Sequence, residues 1–164
     1  NIAKIPSALI TDQDLCIYSR KKFNTLVIST GMSTEKEIED CIYLCGPDVV
    51  MHTNSTYPCP VNEINLNYIK WLQKRWPTRQ IGYSGHEYGL VSTFASVALG
   101  AEWVERHITL NHNMWGSDHL SSLEPAGLFK LVKGIRDVES SMSQPAASRI
   151  LLDGEKTKRE SLRK

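Results

Sequence analysis

Hydrophobic positions along this chain follow two patterns in turn, a short apolar run and then a longer amphipathic stretch. The β-branched runs at 25–29 (TLVIS) and 48–52 (DVVMH) are typical of buried strands. Segments such as 65–76, with apolar residues at helical spacing, follow them. The predicted strands are 1–5, 25–29, 48–52, 80–83 and 102–108, and the predicted helices are 11–22, 34–45, 65–76, 88–99 and 125–142.

Helix boundaries are marked by capping residues. Either Thr11 or Asp12 is placed to begin the first helix, and Thr34 has capping-box spacing from Glu37 at the start of the second. Gly46-Pro47 stops that second helix, and Gly100 follows the fourth as a C-terminal glycine. These signals support the alternation of strands and helices.

Five β/α units with short connections predict parallel strands, because each helix returns the chain to the same end of the sheet. The glycine fingerprint of an open dinucleotide-binding sheet is absent. Polar residues instead follow every strand, which is typical of a (β/α)₈ TIM barrel. A barrel needs eight strands, so we expect residues 1–142 to be its last five units, with about three units missing, and residues 143–164 to be a tail or linker. The strand-end residues are Ser7, Ser29, Thr30, Asn54, Ser55, Ser84, His86 and His107.

Composition narrows the function classes. The 164 residues are 41% hydrophobic and 23% charged, with a net charge of +1, so no basic field for nucleic acid is present. No apolar run reaches the roughly 20 residues of a membrane helix, and no signal peptide is apparent. We therefore expect a cytoplasmic protein. The four cysteines (16, 41, 45 and 59) are expected to be free thiols used as small hydrophobic side chains.

His86 and His107 are the sharpest chemical pair. They end or follow the fourth and fifth predicted strands, and neighbouring parallel strands lie about 4.8 Å apart. Two imidazoles there can share one metal, and with an oxygen ligand they suit Mn²⁺, Fe²⁺, Co²⁺ or Zn²⁺. The alternative is that each histidine is structural.

Other polar residues have open alternatives. For Asp118 the alternatives are a metal ligand, a general acid/base, an acceptor for a substrate hydroxyl and a turn residue without chemical function. For Lys4 the alternatives are an anion-binding residue, a Schiff-base lysine and an ordinary surface lysine. Ser29 begins a turn suited to an anion at a helix start. Ser55 and Tyr57 line a sugar pocket or form an ordinary turn.

Several segments together resemble one family. They are ISTGMST, HTNSTYPCPVNEINL, IGYSGHEYGL, ALGAEWVERHITL and GSDHLSSLEP. In sequence and spacing they resemble the sialic acid synthase (N-acetylneuraminate synthase) family over residues 4–139. The resemblance implies a transferase that condenses phosphoenolpyruvate with N-acetylmannosamine, a related amino sugar or its 6-phosphate. The product is a nine-carbon 2-keto acid, and phosphate is released.

The resemblance also implies roles for individual residues. His86 and His107 would hold a divalent metal, Mn²⁺ or Mg²⁺ with Co²⁺ as the alternative. Asp118 would lie near the sugar hydroxyls and act in catalysis with the two histidines. The phosphate and carboxylate of phosphoenolpyruvate would be held by Lys4, Ser7, Ser29 and Ser84, with Ser55 and Tyr57 lining the same pocket.

Family members form homodimers and carry an antifreeze-like domain after the barrel, toward which 143–164 would lead. Further family residues on the first three barrel strands are missing here, so the activity of these 164 residues alone is open. Two alternatives remain, a catalytically silent sugar- or phosphate-binding half-barrel and a two-histidine barrel metallohydrolase. The identity of the sugar is also open.

Overall fold

Residues 1–144 and 149–163 are described by a computed structural model. Five parallel strands lie in sequential order in one sheet, so the predicted parallel topology is confirmed. The strands are β1 (Ile2–Ile5), β2 (Thr25–Ser29), β3 (Val49–Thr53), β4 (Gln80–Gly85) and β5 (Trp103–Arg106). The helices are α1 (Gln13–Lys22), α2 (Glu35–Cys45), α3 (Asn67–Arg75), α4 (Val91–Ala98), α5 (Pro125–Ser141) and α6 (Asp153–Leu162).

Local sequence signals set the helix starts as expected. The Asp12 carboxylate accepts a hydrogen bond from Leu15 N at 3.0 Å and begins α1. Thr34 and Glu37 form a complete capping box at the start of α2, which ends at Gly46 in the left-handed conformation. Each cap of this kind stabilises its helix by about 1 kcal/mol.

The main hydrophobic core lies between the sheet and its helices. Outward-facing strand residues such as Leu26, Ile28 and Ile81 are at most 1% exposed and meet the apolar faces of the helices, including Ile69 and Leu72 of α3. Truncating a buried leucine of this kind costs about 2–5 kcal/mol. This layer fixes the sheet on which the polar residues stand.

The other face of the sheet is concave and has a small apolar cluster of its own. Val27, Val49 and Met51 are all below 5% exposed, with Trp103 packed against them. Gly82 is required in this layer, because a Cβ there would lie 2.8 Å from that of Trp103. This inner layer closes the floor of an incomplete barrel.

Some predicted boundaries differ from the structure. β5 ends at Arg106 rather than at residue 108, because Ile108 instead forms an isolated bridge with Leu123. Residues 88–90 precede α4, which begins at Val91. A helix, α6, occupies residues 153–162 of the expected tail or linker, with Glu155 Oε2 accepting from Leu152 N at 3.2 Å. Residues 145–148 of that segment lie outside the described residues.

Candidate active site

The carboxyl ends of all five strands surround one cavity of about 240 Å³. Parallel strands bring their carboxyl ends to the same rim, so residues distant in sequence meet there. Every predicted site residue except Asp118 lines it. The walls are formed by Lys4, Pro6, Ser7, Ala8, Ser29, Met32, Thr53, Ser55, Tyr57, Ser84, His86, Glu105 and His107.

The two predicted metal-ligand histidines lie side by side. The ring centroids of His86 and His107 are 5.0 Å apart and the rings are nearly perpendicular. His86 Nδ1 donates to the main-chain oxygen of Asn54 at 2.7 Å, which leaves Nε2 with its lone pair. Burial lowers the pKa of His86, and neighbouring His107 acts in the same direction. A neutral imidazole oriented by an outer hydrogen bond is the form in which histidine binds metals.

Asp118 stands outside the cavity wall but beside this pair. Its Oδ2 is 3.6 Å from His107 Nδ1, and its side chain is 53% exposed. The Tyr57 ring packs against His86 with a centroid distance of 4.2 Å and lies 5.7 Å from His107. Burial raises the pKa of Tyr57, and the negative charges of Asp118 and Glu105 raise it further. Tyr57 thus lines the cavity next to the histidines with a neutral hydroxyl group.

Glu105 is a site residue that the sequence analysis does not single out. Its Oε1 accepts hydrogen bonds from Lys4 Nζ at 2.7 Å and from Ser84 Oγ at 2.9 Å. Burial alone would raise the pKa of Glu105, but the ion pair with Lys4 and the bond from Ser84 lower it overall. The period-two alternation of Trp103, Glu105 and His107 along one strand face is the sequence signal that could have identified it.

Unsatisfied hydroxyl groups line the opposite side of the cavity. Ser29 Oγ and Ser55 Oγ are both buried, and neither has a hydrogen-bond partner within residues 1–144 and 149–163. Buried polar groups are nearly always paired, so two unpaired hydroxyls in one cavity wall indicate a ligand with acceptor or donor groups. Ser7 Oγ accepts from Gly31 N at 3.1 Å. A side chain at Gly31 would collide with the hydroxyls of Ser55 and Ser7, so glycine keeps this side of the cavity open.

A buried ion pair is formed by the residues next to the two histidines in the chain. Glu87 follows His86 in the chain and Arg106 precedes His107, and both side chains are 1% exposed with Oε1 and Nη1 3.2 Å apart. The Glu87 carboxylate also accepts from Tyr83 Oη at 2.9 Å and Thr93 Oγ1 at 2.7 Å. The sequence analysis did not identify this network, because charged residues carry no periodic signal for pairing.

Two further histidines lie in the loop after β5 and do not line the cavity. His112 Nε2 is 2.8 Å from the main-chain oxygen of Ser122, and His119 Nδ1 is 2.8 Å from Thr109 Oγ1. Their ring nitrogens are engaged within the loop, so neither histidine joins the His86–His107 pair.

Fold and site together define an incomplete parallel (β/α) barrel whose polar constellation stands at the carboxyl ends of the strands. A model described as the NeuB family matches residues 1–147. The chain belongs to the NeuB family. None of the helices in residues 1–144 and 149–163 has the length and apolar character needed to cross a membrane.

Named relatives agree with this assignment. The chain is 42% identical over 129 residues to an N-acetylneuraminate-9-phosphate synthase of Homo sapiens, covering 76% of this chain and 36% of the relative. It is 37% identical over 148 residues to an N,N'-diacetyllegionaminic acid synthase of Campylobacter jejuni, covering 86% and 44%. The chain thus spans between a third and a half of the length of these two relatives.

A solved structure also matches. The N-acetylneuraminic acid (sialic acid) synthetase of Leptospira borgpetersenii, determined with citrate, superposes with a TM-score of 0.84 at 28% identity. The match covers 99% of this chain and 58% of that one. The five described strands therefore correspond to part of a larger barrel in that structure.

Proposed function

We propose that the complete protein is a nonulosonate (sialic acid) synthase. It would condense phosphoenolpyruvate with N-acetylmannosamine, a related amino sugar or its 6-phosphate. The observation that carries the proposal is the composition of one cavity, in which Lys4 and two serine hydroxyls without hydrogen-bond partners among the described residues lie beside the imidazoles of His86 and His107. Relatives named as synthases of N-acetylneuraminate-9-phosphate and of diacetyllegionaminic acid support it.

Phosphoenolpyruvate has two anionic groups, and the cavity has a cation and hydroxyl donors to receive them. Lys4 would act as an electrostatic clamp, with its Nζ already held by Glu105. The unpaired hydroxyls of Ser29 and Ser55 would donate to anionic oxygens. Ser7 and Ser84 would complete the anion site, and Tyr57 would form its wall.

His86 and His107 fit a divalent ion on structural grounds. The Asn54 carbonyl fixes His86 Nδ1 as the donor, so its Nε2 is free as a ligand, and a second imidazole lies beside it. Imidazole ligands suit a transition metal better than Mg²⁺, so Mn²⁺ is our first choice, with Co²⁺ or Mg²⁺ as alternatives. Such an ion supplies Lewis-acid polarisation of a carbonyl oxygen.

In the proposed condensation, the C2=C3 π electrons of phosphoenolpyruvate form a bond from carbon 3 to the aldehyde carbon of the open-chain sugar, and the aldehyde oxygen takes up a proton to become a hydroxyl. Water adds at carbon 2, and the bond from carbon 2 to the phosphate oxygen breaks as the 2-keto acid forms. Lys4 and the serine hydroxyls would orient the enol phosphate, while Asp118, beside His107, would accept from the sugar hydroxyls. Orientation of two substrates in this way accounts for a large part of rate enhancement in general.

The test is an assay of the complete protein with phosphoenolpyruvate, Mn²⁺ and a panel of amino sugars, following phosphate release and 2-keto acid formation. We expect one sugar to support both, and His86→Ala to reduce metal affinity and turnover together. His112→Ala, in the loop outside the cavity, is the matched control. Sugar or phosphate binding without turnover would favour the silent binding module, and hydrolysis without phosphoenolpyruvate would favour the metallohydrolase. The homodimer, the antifreeze-like domain and the cytoplasmic location remain predictions.

A further inference from the structure

Three cysteines from two helices meet on the helix side of the sheet, away from the cavity just described. Cys16 belongs to α1, and Cys41 and Cys45 belong to α2. Cys41 Sγ is 3.9 Å from Cys16 Sγ and 3.8 Å from Cys45 Sγ, and all three sulfurs lie within 4.8 Å of one another. Within residues 1–144 and 149–163, no other group of three or more His, Cys, Asp or Glu ligand atoms is this close.

These distances match three sulfurs around one metal ion. Thiolates bind Zn²⁺ at about 2.3 Å, which places two sulfurs about 3.8 Å apart in tetrahedral geometry and about 4.0 Å apart in a trigonal plane. The two shortest separations here already have those values. Helical spacing of Cys41 and Cys45 by four residues brings both thiols to the face of α2 that meets α1. The cysteines therefore form a cluster rather than three independent packing residues.

Burial and charge also suit a soft cation. The three cysteines are at most 3% exposed, so an ion among them would be shielded from water and from oxygen ligands. The hydrogen bond with Cys41 lowers the pKa of the Cys45 thiol, and the positive charge of Arg20 acts in the same direction. Burial raises the pKa of Cys16, and the hydrogen bond with Cys45 together with burial raises that of Cys41, so a bound ion would displace the protons of these two thiols. Thiolate is the form that binds metals.

A surface cleft gives access to the cluster. Cys41 lines this cleft together with residues at the start of α1 and along α2, including Glu37 and Asp40. Glu37 places negative charge where a cation would approach, while the charge of Asp40 is paired with Lys36. An ion could therefore reach the sulfurs without opening the main core.

We propose that Cys16, Cys41 and Cys45 form a trithiolate site for one soft cation of the Zn²⁺ or Cd²⁺ class, separate from the histidine pair. The ion would join α1 to α2, the helices that follow β1 and β2. Because the folded protein has this site and the unfolded chain does not, the bound ion would raise the thermal unfolding temperature.

The test is a Cd²⁺ titration of the complete protein in a phosphine reductant, followed by the ultraviolet charge-transfer absorbance of thiolate–Cd²⁺ bonds. We expect the absorbance to saturate, and Cys16→Ser and Cys41→Ser each to remove it. Cys59→Ser is the matched control, since this cysteine is also buried but lies outside the cluster. His86→Ala should leave the absorbance unchanged, which separates this site from the proposed active site.

A second measurement uses no cysteine variant, so its result does not depend on whether those variants fold. X-ray absorption of Cd²⁺ bound to the His86→Ala protein should count three sulfur neighbours. The proposal is overturned if the reduced protein shows no thiolate absorbance, or if the bound ion has only nitrogen and oxygen neighbours. It is equally overturned if folded Cys41→Ser protein keeps the absorbance or if Cys59→Ser protein loses it.

Discussion

Lys4 Nζ lies 2.7 Å from Glu105 Oε1, although the two residues are 101 positions apart in the chain. They belong to β1 and β5, the two edge strands of the sheet. The contact shows that the sheet curls far enough for side chains of its two edge strands to meet across the inner face. It also places a lysine in the cavity with a carboxylate partner that an anionic substrate would displace or share.

Replacing Lys4 should weaken the binding of phosphoenolpyruvate in the complete protein. Hydrogen bonds to charged groups contribute about 1.5–3 kcal/mol, so Lys4→Met should raise the KM for phosphoenolpyruvate about tenfold to a hundredfold. Steady-state kinetics at saturating sugar measures the effect. Lys36→Met is the control, because Lys36 pairs with Asp40 on the exposed face of α2. An unchanged KM in Lys4→Met protein would remove this residue from the anion site.

Ser29 should show opposite effects on stability and binding. Its buried hydroxyl has no hydrogen-bond partner in the part of the chain that the structure describes, so Ser29→Ala should leave the free energy of unfolding unchanged or raise it by up to about 1 kcal/mol. The same variant should raise the KM for phosphoenolpyruvate. Denaturant unfolding and kinetics, measured on one preparation, check both.

Ser96→Ala is the control for that pair of effects. The Ser96 hydroxyl is buried and donates to the Thr93 main-chain oxygen at 2.7 Å, so its loss should cost about 1 kcal/mol. The KM should not change. If Ser29→Ala is as destabilising as Ser96→Ala and binds phosphoenolpyruvate normally, the Ser29 hydroxyl has a structural role only.

Breaking the buried ion pair of Glu87 and Arg106 should lower the free energy of unfolding strongly. Arg106→Met would leave the Glu87 carboxylate buried without its charge partner, and breaking such a pair costs about 3–5 kcal/mol. Arg136→Met is the matched control, since Arg136 pairs with Glu139 on the surface of α5, where a pair contributes at most about 1 kcal/mol. Equal unfolding free energies for the two variants would contradict the prediction.

Stability should fall as the pH drops below about 6.5, the ordinary pKa of histidine. Burial lowers the pKa of His52 and of His86 in the folded protein. Between their lowered values and 6.5 the unfolded chain binds more protons than the folded one, so protonation favours unfolding. The slope is at most about 1.4 kcal/mol per pH unit for each group.

Urea unfolding across this pH range measures the slope, and His52→Gln should make it shallower. His52 is 6% exposed, with Nε2 2.6 Å from the main-chain oxygen of Ile64. That oxygen can only accept, so Nε2 carries the proton of the neutral ring. A stability that rises with falling pH in this window would show that the two histidines are protonated in the folded state.

The membership of the candidate site could largely be predicted from the sequence. Strands and helices are marked by apolar periodicity, and parallel strands bring their carboxyl ends to one rim. Ser29, Ser84 and His107 each stand at the carboxyl end of a strand, and each of these positions can be recognised from the local sequence alone. Their meeting in space could therefore be predicted. Asp118 was the exception, because the 16-residue stretch between the predicted elements, 109–124, gives no periodicity from which to place it.

Tertiary structure alone decided which side chains pair. The curl of the sheet brings Glu105 to Lys4, and the packing of α1 on α2 brings Cys16 to Cys41 and Cys45. Sequence periodicity reports which face of an element is buried, but it carries no information about the distance between two elements. Partner choice depends on that distance, which is set by the sum of all side chains packed between them. The strand ends were thus determined by local sequence, and the ion pairs and the thiol cluster by the folded core.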